Sequence, residues 1–214
     1  MNFKSNEILA GSFILILHIV GVAGYLIPVL QPYFILLTPF NLLLTGALTV
    51  FLHYKNNESG GLILFSAFAI GLLVEIIGVA TGFPFGEYSY GSTLGFKIMK
   101  VPLIIGMNWL VLGYGYGSIA KKIFPVSKWV AIVLAASAMV LTDVLIEPVA
   151  IRYDYWSWQQ IDPPLLNYIG WFVVALVIQF LMQRLDLQKL YKFCLLVLVS
   201  QLLFFVLLNI LSVD

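Results

Sequence analysis

Residues 60–80 read Gly60-Gly-Leu-Ile-Leu-Phe-Ser-Ala-Phe-Ala-Ile-Gly71-Leu-Leu-Val-Glu75-Ile-Ile-Gly78-Val-Ala80, an apolar run holding one carboxylate. Its length decides the fold class, because a hydrocarbon layer about 30 Å thick is crossed by about 20 helical residues. Six other stretches match it: 8–30, 33–53, 101–119, 127–150, 165–184 and 190–212. In lipid a backbone must satisfy its own polar groups, as a helix or a closed barrel, and these runs are too long and too poorly alternating for barrel strands. The sequence therefore predicts one all-α membrane domain over 1–214, a bundle of seven transmembrane helices.

Composition points the same way. Hydrophobic residues make up 62% of the chain and charged ones 10%, which excludes a water-soluble domain with a polar surface. A net charge of +1 leaves no basic patch to bind nucleic acid. Cys194 is the single cysteine, so neither a disulfide framework nor a thiolate metal site is available. The start carries Lys4 and Glu7 around a long apolar run with no small-residue cleavage site, and is read as a retained first span.

Lysine and arginine set the expected orientation. One face collects Lys4, Lys55, Lys121, Lys122, Lys128, Arg184, Lys189 and Lys192, and the other only Lys97, Lys100 and Arg152. The richer face is expected to be cytoplasmic, with the N-terminus inside and the C-terminus outside. Glu75, Asp143, Glu147, Asn41, Asn108 and Asn167 then all fall in the outer third of the bilayer. An Asp at mid-helix costs about 2.5–3.5 kcal/mol even on lenient insertion scales, so such residues are kept mainly where they work.

Asp143 and Glu147, four residues apart, share one helical face. Two carboxyls this close cannot both ionise cheaply, so one is expected to keep its proton and act as a general acid. The structural alternative is a buried pair holding Asn or Tyr side chains. Glu75 has Gly71 and Gly78 about one turn away on either side, which lets a neighbouring helix approach; the Asn residues then read either as site groups or as interhelical ties. His18 and His53, read as lying at other depths than the acids, are expected to be structural, and no metal cluster is expected.

Two long outer loops flank the acids. The first runs Thr81-Gly-Phe-Pro-Phe-Gly-Glu87-Tyr88-Ser-Tyr90-Gly91 and on to Phe96, and the second Ile151-Arg-Tyr153-Asp-Tyr155-Trp156-Ser-Trp158 and on to Pro164. Their aromatic residues, with Trp109 and Trp171, are expected to cover a dry pocket, where ring faces stabilise a carbocation. A faint echo pairs Glu75, Tyr88, Tyr90 and Asn108-Trp109 with Glu147, Tyr153, Tyr155, Asn167 and Trp171, a hint of two helix-pair repeats.

On these motifs the chain resembles the membrane carotenoid-biosynthesis family of bisanhydrobacterioruberin-hydratase and monocyclic-carotenoid-hydratase type. The resemblance rests on Glu75 to Tyr90, Val101-Pro102 with Asn108-Trp109, Asp143 with Glu147-Pro148, Trp156-Ser-Trp158, and Asn167 with Gly170-Trp171. It implies addition of water to the terminal double bond of an acyclic carotenoid end group, giving a tertiary alcohol. The expected partners are a carotenoid, water, the bilayer of a prokaryotic cytoplasmic membrane and other carotenoid enzymes, and no cofactor is expected. Asp143 or Glu75 is expected to deliver the proton, with Glu147 or Glu87 orienting the water. Tyr88, Tyr90, Asn108, Trp109, Trp156, Trp158, Asn167, Trp171 and Asn41 are the expected substrate-binding residues. The rivals are a carotenoid cyclase, a prenyltransferase and, outside catalysis, a proton-coupled transporter or lipid-binding protein.

Overall fold

A computed structural model of the chain describes residues 3–57, 59–125 and 127–212, without the side chains of residues 3–5, so that of Lys4 lies outside the described residues. The described residues form α1 (Phe3–Leu26), α2 (Gln31–Asn56), α3 (Gly61–Thr81), α4 (Ile104–Ile123), α5 (Lys128–Arg152), α6 (Leu165–Met182) and α7 (Tyr191–Leu211). A single 3-10 turn, Leu187–Leu190, leads into α7. Six helical segments are long and apolar enough to cross a membrane, and α4 is not among them.

The reason lies in what α4 touches. It packs against α2, α3, α5, α6 and α7, and most of its residues from Ile105 to Ala120 are buried. A helix ringed by protein needs no lipid-facing stripe, so it can spend positions on Tyr114, Tyr116 and several glycines. Gly113 lies against Ile178 and Gly115 against Leu198, close approaches that a side chain would prevent. The outer helices show the inverse pattern. Leu9, Ile16, Leu37, Phe40, Leu62, Phe65, Leu141 and Val173 are exposed, an apolar surface far too extensive for a water-soluble monomer and suited to lipid.

Local signals set the helix ends. Ser127 caps α5, its hydroxyl accepting from Val130 N at 3.4 Å. Gly82, at φ 74°, ends α3 in the left-handed conformation that glycine adopts without penalty. At the basic end, Lys121 Nζ donates to Gln183 O and Leu185 O, and Lys189 Nζ to Asn56 O. These bonds tie the ends of α2, α4 and α6 to the start of α7, while the carboxylates lie at the opposite end.

Two features depart from the span boundaries read in sequence. Residues 101–103 do not begin α4. Val101–Pro102 (β3) instead pairs with Lys97–Ile98 (β2) in a small hairpin, turned by Met99 and Lys100 at φ 49° and 72°, the double positive φ of a two-residue turn. The aromatic loops are also not irregular. Tyr88–Tyr90 (β1) pairs antiparallel with Trp156–Trp158 (β4), in the register Tyr88 to Trp158, Ser89 to Ser157 and Tyr90 to Trp156.

Candidate active site

The β1–β4 ribbon puts four rings over three acids. Side chains alternate along a strand, so Ser89 and Ser157 face out, with their hydroxyls 3.3 Å apart, while Tyr88, Tyr90, Trp156 and Trp158 face the bundle. Around the ribbon the two loops are tied together. Ser92 N and Oγ donate to Asp154 Oδ2 at 2.8 and 2.9 Å, Thr93 Oγ1 donates to Asp154 O at 2.7 Å, and Gly91 N donates to Tyr155 O at 2.9 Å.

Beneath the ribbon the three carboxyls are buried and receive different numbers of donors. Glu75 Oε2 accepts from Tyr88 Oη at 2.5 Å and Tyr90 Oη at 2.8 Å, and its Oε1 accepts from Trp109 Nε1 at 3.1 Å. Glu147 Oε2 accepts from Trp156 Nε1 at 2.9 Å and Trp158 Nε1 at 3.1 Å, and its Oε1 accepts from Asn167 Nδ2 at 3.4 Å. Among the described residues, Asp143 accepts only from Asn167 Nδ2, at 3.0 Å to Oδ2. Burial, then the charge of Glu75, pushes the Tyr88 and Tyr90 hydroxyls above the usual tyrosine range, so both remain O–H donors. Hydrogen bonds to a carboxylate favour its charged form. That support is concentrated on Glu75 and Glu147 and is thinnest on Asp143.

Gly78 and Gly71 make room for the donors to Glu75. A Cβ at Gly78 would sit 2.9 Å from Tyr88 Oη and 2.7 Å from the Phe85 ring, and one at Gly71 would meet the Trp109 ring. The glycines thus admit donor side chains, where the sequence reading expected only a closer helix. Trp109 in turn stacks on Trp171 with centroids 3.9 Å apart.

Two cavities meet at Asp143. The smaller, about 20 Å³, is lined by Glu75, Asp143, Glu147, Asn108, Asn167 and the ribbon aromatics, and it has room for one water. The larger, about 440 Å³ and mostly apolar, runs between α1, α2 and α7, with Leu17, Phe34, Leu37, Leu44 and Phe204 in its wall. Asp143, Asn108, Ile105 and Trp156 line both. A third, polar cavity of about 550 Å³, lined by Arg152, Asp154 and Gln31 among others, shares Tyr25 with the apolar one. At that partition the hydroxyls of Tyr25, Tyr155 and Thr38 bond one another, Tyr25 to Tyr155 at 2.5 Å. Burial keeps Tyr155 above the usual tyrosine range, hence a neutral hydroxyl.

The residue family with this apolar bundle and acid cluster is identifiable by comparison. The sequence pattern described as carotenoid biosynthesis protein matches residues 31–213. The chain belongs to the carotenoid biosynthesis protein family. It is also similar to the bisanhydrobacterioruberin hydratase of Haloarcula japonica, 27% identical over 181 residues, which are 77% of this chain and 59% of that protein. The chain thus spans about three-fifths of the length of this relative. No solved structure matches.

For this member of the carotenoid biosynthesis protein family, the geometry sorts the residues singled out in sequence. Glu75, Asp143, Glu147, Asn108, Asn167, Tyr88, Tyr90, Trp156, Trp158 and Trp171 line the small cavity, and Trp109 bonds Glu75 from behind it. Asn41 lies apart, on the apolar cavity. Glu87 is exposed and lines none of the three cavities. It immediately precedes β1, and the strand's alternation carried one residue back turns it outward with Ser89. In the ribbon, Trp156 and Trp158, rather than Tyr153 and Tyr155, stand opposite Tyr90 and Tyr88. Sequence reasoning missed the aromatic hydroxyl partition and the place of His18, which lines the same cavity as Asp143. The signal for His18 was present. It lies eight residues before the end of α1 and Asp143 nine before the end of α5, similar depths of about 12–14 Å at 1.5 Å per residue.

Proposed function

We propose that this protein is a carotenoid hydratase, adding water to the terminal isoprenoid double bond of an acyclic end group. The observation that carries the reading is the junction at Asp143, where an apolar cavity suited to a polyene chain meets a water-sized space bounded by two further carboxyls. The hydratase relative and the family support the substrate class. In the orientation that lysine and arginine favour, the junction lies toward the outer side of a prokaryotic cytoplasmic membrane.

Asp143, the acid with the fewest donors, carries the proton. It transfers this proton to the less substituted carbon of the double bond; a C–H bond forms, the π bond breaks, and a tertiary cation is left at the other carbon. Trp156, which lines both cavities, faces the cation with its ring. The water in the small cavity attacks it, a C–O bond forms, and the water's surplus proton passes to Glu147. Glu147 sits one turn from Asp143 and shares Asn167 with it, so the proton returns to Asp143 and the net change is one water added. Glu75, with both oxygens occupied by donors, holds a fixed negative charge beside the developing cation. Preorganised charge in a dry site is the largest lever such a reaction has.

A cyclase would use the same proton and cation and quench it on an internal double bond. The water-sized space beside Asp143 favours hydration. Expressing the chain in cells that accumulate lycopene or a monocyclic carotene distinguishes them. Hydration yields a pigment heavier by one water with an unchanged visible spectrum; an isomer of unchanged mass with a shifted spectrum would mean cyclisation.

A further inference from the structure

We propose that Lys128, Trp129, Phe180 and Arg184 form a docking site for one anionic phospholipid at the basic end of the α5–α6 pair. The site lies at the opposite end of the bundle from the three acids, Lys128 opening α5 fifteen residues before Asp143, about 22 Å away at 1.5 Å per residue. It is therefore independent of the hydratase reading.

Two cations converge on one ring. Lys128 Nζ lies 4.8 Å and Arg184 Cζ 5.1 Å from the centroid of Phe180, and the exposed indole of Trp129 stacks on the same ring at 6.1 Å and 21°. The ring attracts both cations, while the two like charges repel each other and favour an anion between them. The neighbouring elements supply none among the described residues. α6 contains no acid and α5 none before Asp143, and Asp186, the acid nearest Arg184 in sequence, is paired with Lys189 at 3.4 Å. Neither the Lys128 ammonium nor the Arg184 guanidinium has a hydrogen bond or ion pair among the described residues.

The chemistry of that anion follows from its surroundings. A phosphodiester accepts from an ammonium and a guanidinium at once, the planar fork of the guanidinium suiting two of its oxygens. Deeper along the same helical faces lie exposed Val133 on α5, and Val177 and Val173 on α6, at the i+4, i−3 and i−7 positions in line with Trp129 and Phe180. That apolar track receives acyl chains and gives no hold to a soluble acidic peptide. The head group carries net negative charge, since a zwitterion would bring its own ammonium toward two cations. Bound there, the lipid bridges the start of α5 and the end of α6, the pair whose other ends hold Asp143, Glu147 and Asn167. Free phosphate shares the head-group chemistry, and the experiment separates the two sources.

Full-length protein is reconstituted in phosphatidylcholine vesicles in which brominated phosphatidylglycerol or brominated phosphatidylcholine replaces a rising share of the lipid. Quenching of Trp129 is read, in each background, as the part of the fluorescence that Trp129→Phe removes. Wild type is expected to favour the anionic lipid about 30-fold, about fivefold for each cation. Lys128→Gln and Arg184→Gln are each expected to lower that preference about fivefold, and the double variant to leave none. Both residues are exposed, and either variant alone tests the site should the other impair folding. Lys122→Gln combined with Lys192→Gln removes the same charge from the same end and is expected to change the preference by less than about twofold. An equal loss in that control, or equal quenching of wild type by both lipids, would overturn the proposal and leave only the diffuse attraction of a basic face. A preference surviving the double variant would overturn it as well. Excess glycerol phosphate is expected to leave the quenching in place; relief of quenching would overturn the lipid as occupant and assign the two cations to a soluble phosphate.

Discussion

Replacing Asp143 by Asn changes a single capacity of the site. The amide oxygen takes the place of Oδ2 and still accepts from Asn167 Nδ2, the 3.0 Å bond that is the carboxyl's sole hydrogen bond among the described residues. The new N–H₂ group occupies the place of Oδ1, beside a cavity of about 20 Å³ that holds a water-sized guest. No buried donor loses its acceptor, so stability should change by less than about 1 kcal/mol. The proton, however, is gone. Loss of one general acid removes about two to four orders of magnitude in rate, or about 2.7–5.4 kcal/mol at 1.36 per decade. Asp143→Glu restores the proton but displaces it by one methylene, and a misplacement of about 1 Å costs about 100-fold. The expected order is wild type, then Glu, then Asn. The assay is product formed per unit of monodisperse, detergent-extracted protein, with thermal stability read on the same samples. Turnover of Asp143→Asn within tenfold of wild type, at unchanged stability, would refute the assignment of the acid.

Three further outcomes are expected. Trp156→Phe and Trp158→Phe each keep a ring but remove one N–H donor from Glu147; each should lower turnover about tenfold, the worth of roughly 1.5 kcal/mol for a bond to a charged group, and unchanged specific turnover in both would reduce these residues to packing. Asp154→Ala cuts the ties to Ser92 outside the cavities that meet at Asp143, so turnover should fall while polyene binding in the apolar cavity persists; equal loss of both would mean a folding defect. Cysteines introduced at Ser92 and Ser127 test orientation against a background of one buried cysteine, Cys194: Ser92 should label from outside and Ser127 only after permeabilisation, and the reverse pattern would invert the protein in its membrane.

Much of the site was legible because lipid makes polar residues conspicuous. Glu75, Asp143, Glu147 and Asn167 stand out of apolar runs, and counting along helices of 1.5 Å rise brings them to one level. What the sequence hid was partnership. Tyr88-Ser-Tyr90 and Trp156-Ser-Trp158 each show the period of two, yet strands of three residues lying far apart in the chain carry too little local signal to declare a pair. Once the pair is known, alternation explains why the tyrosines reach Glu75 and why Glu87, their neighbour, does not. The central helix α4 was placed three residues early because Val101 and Pro102 are as apolar as the helix they precede.

Purified protein, incubated with an acyclic polyene in heavy-oxygen water and analysed by mass spectrometry, tests hydration most directly. The hydratase reading predicts a product heavier than substrate by one heavy-oxygen water, with the chromophore unchanged, formed by wild type and nearly absent with Asp143→Asn. A product isomeric with the substrate and free of the label, or a labelled product formed equally by the Asn variant, would contradict it.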